Sequence, residues 1–232
     1  MALELADVLD ALIGDPDATQ RYADFVLDRI NSGTLLELAC GTGALAAVLR
    51  QHAEVEGLDL DLGMLAQFRL KNPGCVTHHR SMTHLDGLGM YAAIVCFGDS
   101  VNYLLDETDL DRLFEQVEAH LNSGGVFLFD LHTEHRLDEF EQEYIEEGWL
   151  GDLAYQWTIQ TLPDQRLDHQ LTFYEPSGSV VRHQVVQRVY PLEVILARLK
   201  RLSWSVSVYS DFVEGRHPNA EKYMLVCTKE RT

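Results

Sequence analysis

Chemistry in this sequence concentrates in one short stretch, Leu35-Leu36-Glu37-Leu38-Ala39-Cys40-Gly41-Thr42-Gly43-Ala44-Leu45. An apolar run carries a carboxylate, Glu37, and passes into a loop with two glycines before a helical pattern opens. Glycine lets a ligand touch the backbone at van der Waals distance, and the first turn of the helix beyond it offers free N–H groups. Eighteen positions after Gly41, at the end of the next apolar run, stands Asp59, an acid suited to accepting both hydroxyls of a ribose. Together these residues describe an adenosine-type cofactor site.

Two cofactors compete for it. Gly41-Thr42-Gly43-Ala44-Leu45-Ala46 also satisfies the dinucleotide fingerprint with alanine in its last position, so spacing alone leaves NAD open. Glu37 argues for S-adenosylmethionine: a carboxylate beside the loop suits a ligand with an ammonium and a sulfonium, and it repels a pyrophosphate.

The elements that must position these residues are legible from periodicity. Two amphipathic helices occupy the first thirty residues, with Leu5, Val8, Leu9 and Leu12 on one stripe and Tyr22, Phe25, Val26 and Ile30 on the other, broken at Gly14-Asp15-Pro16-Asp17. Short apolar runs follow at 35–39, 55–58, 75–77, 92–97 and 126–131, with helical patterns at 44–51, 62–70 and 110–121 between them. Strands alternating with helices predict a parallel sheet covered on both faces. After His132 the rhythm becomes that of an antiparallel meander, with alternating strands at 153–161, 167–174 and 180–190 separated by Pro163-Asp164-Gln165 and Pro176-Ser177-Gly178. The acidic segment 138–147 reads as a helix with a solvated face. A further helix begins at Pro191, and strands at 203–212 and 223–228 close the chain around a polar loop at 214–221. The fold class expected is α/β, a Rossmann-like doubly wound seven-stranded sheet in one domain, with a three-stranded antiparallel insert over 150–190 facing the substrate.

Composition sets the class of partner. The 232 residues carry 18 basic and 37 acidic side chains, a net charge of −19, which counts against a nucleic-acid surface and favours a small-molecule substrate. No run has the length of a membrane span and the N-terminal segment is acidic, so the expectation is a cytoplasmic protein, monomeric or homodimeric, without membrane association. Cys40, Cys75, Cys96 and Cys227 lack metal-site spacing and sit in apolar segments, which predicts buried thiols and no metal.

Several segments resemble the class I S-adenosylmethionine-dependent methyltransferases. The stretch from Glu37 to Gly43 is similar to that family's first motif, and Gly57 to Leu65 to the segment that places a Met-Leu pair beside adenine. Ile94 to Leu105 is similar to the fourth-strand motif of one subgroup, and Leu121-Asn122-Ser123-Gly124-Gly125 to its turn before the fifth strand. That subgroup comprises small bacterial methyltransferases resembling amino-sugar and glycine N-methyltransferases. The resemblance implies cofactor contacts from Glu37, Ala39, Cys40, Gly41, Gly43, Asp59, Leu60, Met64, Ser81, Met82, Phe97, Gly98 and Asp99. It also implies substrate-side roles for His132, the candidate base, and for Asn102 and Tyr103, the latter a candidate catalytic group. Two departures stand out: Leu9 replaces a tyrosine the subgroup places over the methyl group, and Arg80-Ser81-Met82 replaces a segment whose acid binds the adenine amine.

The expected activity is therefore methyl transfer to N or O of a small molecule. Methylation of tRNA or protein, a non-catalytic S-adenosylmethionine-binding protein, and an NAD-dependent oxidoreductase are the competing classes. Transfer from a sulfonium needs chiefly alignment of the partners, and a base only where the nucleophile arrives protonated.

Overall fold

The computed structural model describes residues 3–30, 33–202, 204–217 and 219–231. Its main sheet is built from β1 (Thr34–Leu38), β2 (Glu54–Asp59), β3 (Val76–His79), β4 (Tyr91–Cys96), β5 (Leu121–His132), β10 (Trp204–Ser210), the two-residue β11 (Val213–Glu214) and β12 (Lys222–Lys229). The order is β11-β10-β12-β5-β4-β1-β2-β3. Strands β1 to β5 run parallel, and β12 lies antiparallel between β5 and β10. The expected α/β doubly wound sheet is thus present, its seven full strands extended at one edge by β11. Ser203, the first residue of the strand expected at 203–212, and Pro218 in the polar loop lie outside the described residues.

Helices cover both faces because each parallel strand is apolar on both sides. On one face, Leu36, Ile94, Phe127 and Phe129 pack against α5 (Glu107–His120) and α7 (Leu192–Leu199). On the other, Leu35, Val95 and Leu128 meet α2 (Pro16–Leu27), α3 (Ala44–Leu49) and α4 (Leu62–Lys71). The break foreseen after the first helix, α1 (Leu5–Ile13), is an N-cap: Asp15 accepts hydrogen bonds from the N–H groups of Asp17 and Ala18, with Pro16 in the first turn. Cys40, Cys96 and Cys227 are buried and Cys75 is half-buried. No helix among the described residues is long and apolar enough to cross a membrane.

The insert differs from expectation. It is a four-stranded antiparallel sheet, β6 (Tyr144–Leu150), β7 (Leu153–Leu162), β8 (Arg166–Tyr174) and β9 (Val180–Arg188), in that order. The acidic segment 138–147 is not a helix: α6 covers only His135–Glu139, and β6 begins at Tyr144. Its acidic residues hide a period-two pattern that pairs with β7, where Tyr155 lies over Gly148 and its hydroxyl donates to Glu146 at 2.7 Å. Helix α1 packs on the inner face of this sheet through Val8, Leu171 and Phe173.

Candidate functional site

Sheet order reverses between β1 and β4, and the loops leaving their carboxyl ends create a crevice at that switch point. The loop after β1 is a left-handed turn, with φ of 49° at Ala39, 52° at Gly41 and 80° at Gly43, where Gly43 is the residue before α3. A Cβ on Gly43 would lie 2.4 Å from the Phe68 ring and 2.5 Å from Asn72 Nδ2, whereas one on Gly41 would meet nothing within 4 Å. Gly43 is therefore required for packing against α4, and Gly41 leaves open space on the ligand side. Asn72 Nδ2 donates to the Gly43 carbonyl at 2.9 Å and locks the loop to α4.

Asp59, at the end of β2, accepts from the Gly41 N–H at 2.8 Å and, through its other oxygen, from the Asp61 N–H at 2.9 Å. Each oxygen retains acceptor capacity for a ligand hydroxyl. Burial pushes its carboxyl above the usual range, against the pull of those backbone bonds. Glu37 is buried at 6% exposure, and its Oε2 has no hydrogen-bond partner. Burial, joined by the charge of Asp59, pushes its carboxyl up to about 8, while a backbone hydrogen bond from Ala46 pulls the other way. A buried carboxylate oxygen without a partner is costly, and a cationic ligand group removes that cost.

Helix α1 is latched over the loop. Thr42 Oγ1 donates to Asp10 Oδ1 at 2.5 Å, and Lys71 Nζ bonds Asp10 and reaches Thr42 Oγ1 at 2.7 Å. Beside it a cleft of about 490 Å³ runs from Leu60, Asp61 and His79 past Glu4 and Leu5 to His183 of the insert. Leu60 is exposed and Met64 half-buried on α4. Ser81 spends its hydroxyl in a turn with Thr83 at 2.9 Å, and Met82 packs against the core.

On the other side of the switch point the loop after β4 carries Phe97, Gly98 and Asp99. The N–H groups of Gly98 and Asp99 both donate to Asp130 on β5, at 3.3 and 2.9 Å. Asp130 is fully buried and also accepts from Tyr22 Oη at 2.7 Å. Lys222 Nζ lies 2.9 Å from Asp99 and 3.6 Å from Asp130. Burial acts to lower the Lys222 pKa, but the two carboxylates outweigh it and hold the ammonium charged. His132 at the end of β5 is 4% exposed; its Nε2 faces Gln187 Oε1 of β9 at 2.9 Å. Asn102 is fully buried and structural, accepting from the His132 N–H at 3.0 Å and donating to the Arg188 carbonyl at 2.7 Å. Tyr103 stands 47% exposed at the rim. Desolvation and the charges of Asp99 and Asp59 push its hydroxyl up.

The crevice thus brings Glu37, Ala39 to Gly43 and Asp59 together with Phe97 to Asp99, Tyr103 and His132; Leu60 lines the cleft beyond β2, Met64 follows on α4, and Ser81 and Met82 lie just after β3. Sequence reasoning missed Asp10, Tyr22, Lys71, Asp130, Gln187 and Lys222 as site residues. Only Asp130 carried a signal, a carboxylate inside an otherwise apolar strand.

Residues 35–125 match a family model described as a methyltransferase domain. A protein of Geobacillus sp. (strain WCH70) named as a methyltransferase is 31% identical over 207 residues, which is 84% of this chain and 84% of the relative. A dTDP-3-amino-3,6-dideoxy-alpha-D-glucopyranose N,N-dimethyltransferase of Streptomyces fradiae is 34% identical over 100 residues, 43% of this chain and 39% of that one. The crystal structure of an S-adenosylmethionine-dependent methyltransferase from Clostridium acetobutylicum ATCC 824 superposes with a TM-score of 0.83 at 22% identity, covering 97% of this chain and 96% of the other. The last shows a shared fold; the Geobacillus relative, 31% identical over 84% of both chains, shows that the chain belongs to the methyltransferase family.

Proposed function

We propose that this chain is an S-adenosylmethionine-dependent methyltransferase acting on N or O of a small molecule. The observation that carries the reading is Glu37: a buried carboxylate whose Oε2 has no partner, standing just before the glycine loop. A pyrophosphate is repelled there, and an ammonium is held. The residues fit the cofactor throughout. Glu37 takes the ammonium, Asp59 the ribose hydroxyls, and the backbone at Ala39, Cys40, Gly41 and Gly43 the body of the ligand. Leu60, Met64, Ser81 and Met82 border the adenine, and Phe97, Gly98 and Asp99 the reactive end.

When bound, the cofactor supplies a methyl group already activated by its sulfonium. The chain supplies alignment and exclusion of water: α1, latched through Asp10, Thr42 and Lys71, roofs the crevice, and the insert closes its far side. His132 is the group that receives the acceptor's proton, with Tyr103 at the rim orienting the acceptor. The carboxyl groups of Glu37, Asp59, Asp99 and Asp130 gathered around the crevice support an amine-bearing acceptor, and the insert facing the crevice is the substrate-side part of one domain. An enzyme of this kind works in the cytoplasm, as monomer or homodimer. Isothermal titration with S-adenosylhomocysteine and with NAD tests the reading: the expected result is binding of the former alone, and tight NAD binding without it overturns the proposal.

A further inference from the structure

One turn in the molecule breaks the local rules of its own geometry. Strands β10 and β11 are joined by two residues only, Asp211 and Phe212, both with positive φ, 47° and 72°. A two-residue hairpin loop of this kind favours Asn-Gly; an aspartate is tolerated in the first place, but a bulky phenylalanine in the second is strained. Such strain persists only where the surroundings over-determine it. Here the surroundings lead to the reactive end of the crevice by two separate routes.

The first route is polar. The two oxygens of the Asp211 carboxylate accept from the N–H groups of Glu221 and Lys222, at 3.1 and 3.0 Å, and the Asp211 N–H donates to the Lys222 carbonyl at 3.1 Å. The main chain of Lys222 is thus gripped at both its N–H and its carbonyl, which fixes the root of the ammonium that pairs with Asp99 at 2.9 Å. The second route is aromatic. The Phe212 ring, with the Arg21 guanidinium over it at 4.4 Å, meets the Tyr22 ring edge-on at 5.0 Å, and Tyr22 in turn meets Phe97 at 4.9 Å. The Tyr22 hydroxyl donates to Asp130, the acid that holds the N–H groups of Gly98 and Asp99. Both routes end on segment 97–99, which follows β4.

We infer that Asp211 and Phe212 are positioning residues for methyl transfer, setting segment 97–99 against the cofactor's reactive end through Lys222 and Tyr22. The inference rests on the methyl-transfer reading for its purpose. An Asn-Gly turn would close the hairpin with less strain, but it would give up the ring that abuts Tyr22, and this is the reason for a phenylalanine to stand at a φ of 72°. Asp211 has an equivalent reason: two N–H groups are to be held, and a carboxylate offers two acceptor oxygens where an amide offers one. The turn thereby ties the far edge of the sheet, β10 and β11, to the loop after β4 across β12 and β5.

The test is the backbone ¹H–¹⁵N spectrum of the full chain, without ligand and with S-adenosylhomocysteine. Asp211→Gly and Phe212→Gly suit the backbone of the turn at least as well as the native residues, so a role confined to the hairpin leaves the amide signals of Gly98 and Asp99 in place. The expected result is that each variant displaces those two signals while Gly41 and Gly43, on the other side of the switch point, keep theirs. Asp211→Asn, which retains one acceptor oxygen, should move them less than Asp211→Gly. Both glycine variants should also bind S-adenosylhomocysteine roughly threefold or more weakly than the wild type. Wild-type positions for Gly98 and Asp99 in either glycine variant, or undiminished affinity in either, overturn the inference. Where a glycine variant fails to fold, Asp211→Asn and Phe212→Leu decide in the same way. Failure of the wild type to bind S-adenosylhomocysteine would instead defeat the cofactor reading and leave the ligand-free spectra to judge the turn.

Discussion

Replacing Glu37 by glutamine should strengthen the fold and weaken the site, and both effects can be sized. The rise of its carboxyl from 4.5 to about 8 corresponds, at about 1.4 kcal/mol per unit, to a cost on the order of 5 kcal/mol for carrying the charge in the empty site. Because the folded state binds this proton more tightly than the unfolded chain, the contribution to stability is intact below pH 4.5, declines as pH rises, and is fully lost above about pH 8. Glutamine keeps the shape without the titration, so Glu37→Gln should lack this decline and exceed the wild type by up to about 5 kcal/mol at high pH. Binding of an ammonium needs the carboxylate. Wild-type affinity for S-adenosylhomocysteine should therefore rise roughly tenfold per unit between pH 6 and 8 with release of one proton, while Glu37→Gln stays flat and about 1.5–3 kcal/mol weaker. Urea denaturation at several pH values checks the first effect, and titration calorimetry in buffers of different ionisation enthalpy checks the second. The reasoning fails if the variant keeps the wild-type pH dependence of stability, or binds the ligand as tightly and with the same pH slope.

Three further outcomes follow from the same geometry. Asp59→Ala should cost about 1–3 kcal/mol in cofactor affinity by calorimetry, since it removes the ribose acceptor and frees the Gly41 N–H; equal affinity would move the ribose elsewhere. Gly43→Ala should destabilise the fold by about 1–3 kcal/mol, because a Cβ there collides with Phe68 at a φ of 80°. Gly41→Ala has no collision to make, so its midpoint in urea should stay well above that of Gly43→Ala. Lys222→Met leaves Asp99 and the fully buried Asp130 without their cation and should cost about 3 kcal/mol or more in chemical denaturation. A loss below 1 kcal/mol would mean that the carboxylates are compensated otherwise.

Much of the molecule was legible in the order of its residues, where the relevant physics is short-range. The alternation of apolar runs with amphipathic stretches predicted β1 to β5 and the helices between them, because burial on both faces imposes those periods locally. Gly41 and Gly43 announced a loop that a ligand can approach, and Gly14-Asp15-Pro16-Asp17 announced the break between the first two helices. Segment 138–147 was misread because its acidic residues mask a strand whose partner, β7, lies beyond a turn. Strand pairing is a relation between segments, and no window of one segment contains it.

What the sequence by itself determined is the parallel core, the glycine loop, and the two acids Glu37 and Asp59 that ask for a cationic, ribose-bearing ligand. Only the tertiary structure decided the electrostatics at the reactive end. Strand β12 enters antiparallel beside β5 in a register that sets Lys222 opposite His132, and β9 brings Gln187 from the insert to the same imidazole. These residues are distant in the chain and unremarkable in their local patterns. The charges of Asp99 and Lys222 follow from burial together, since it is the exclusion of water that turns the acids and the lysine into one unit.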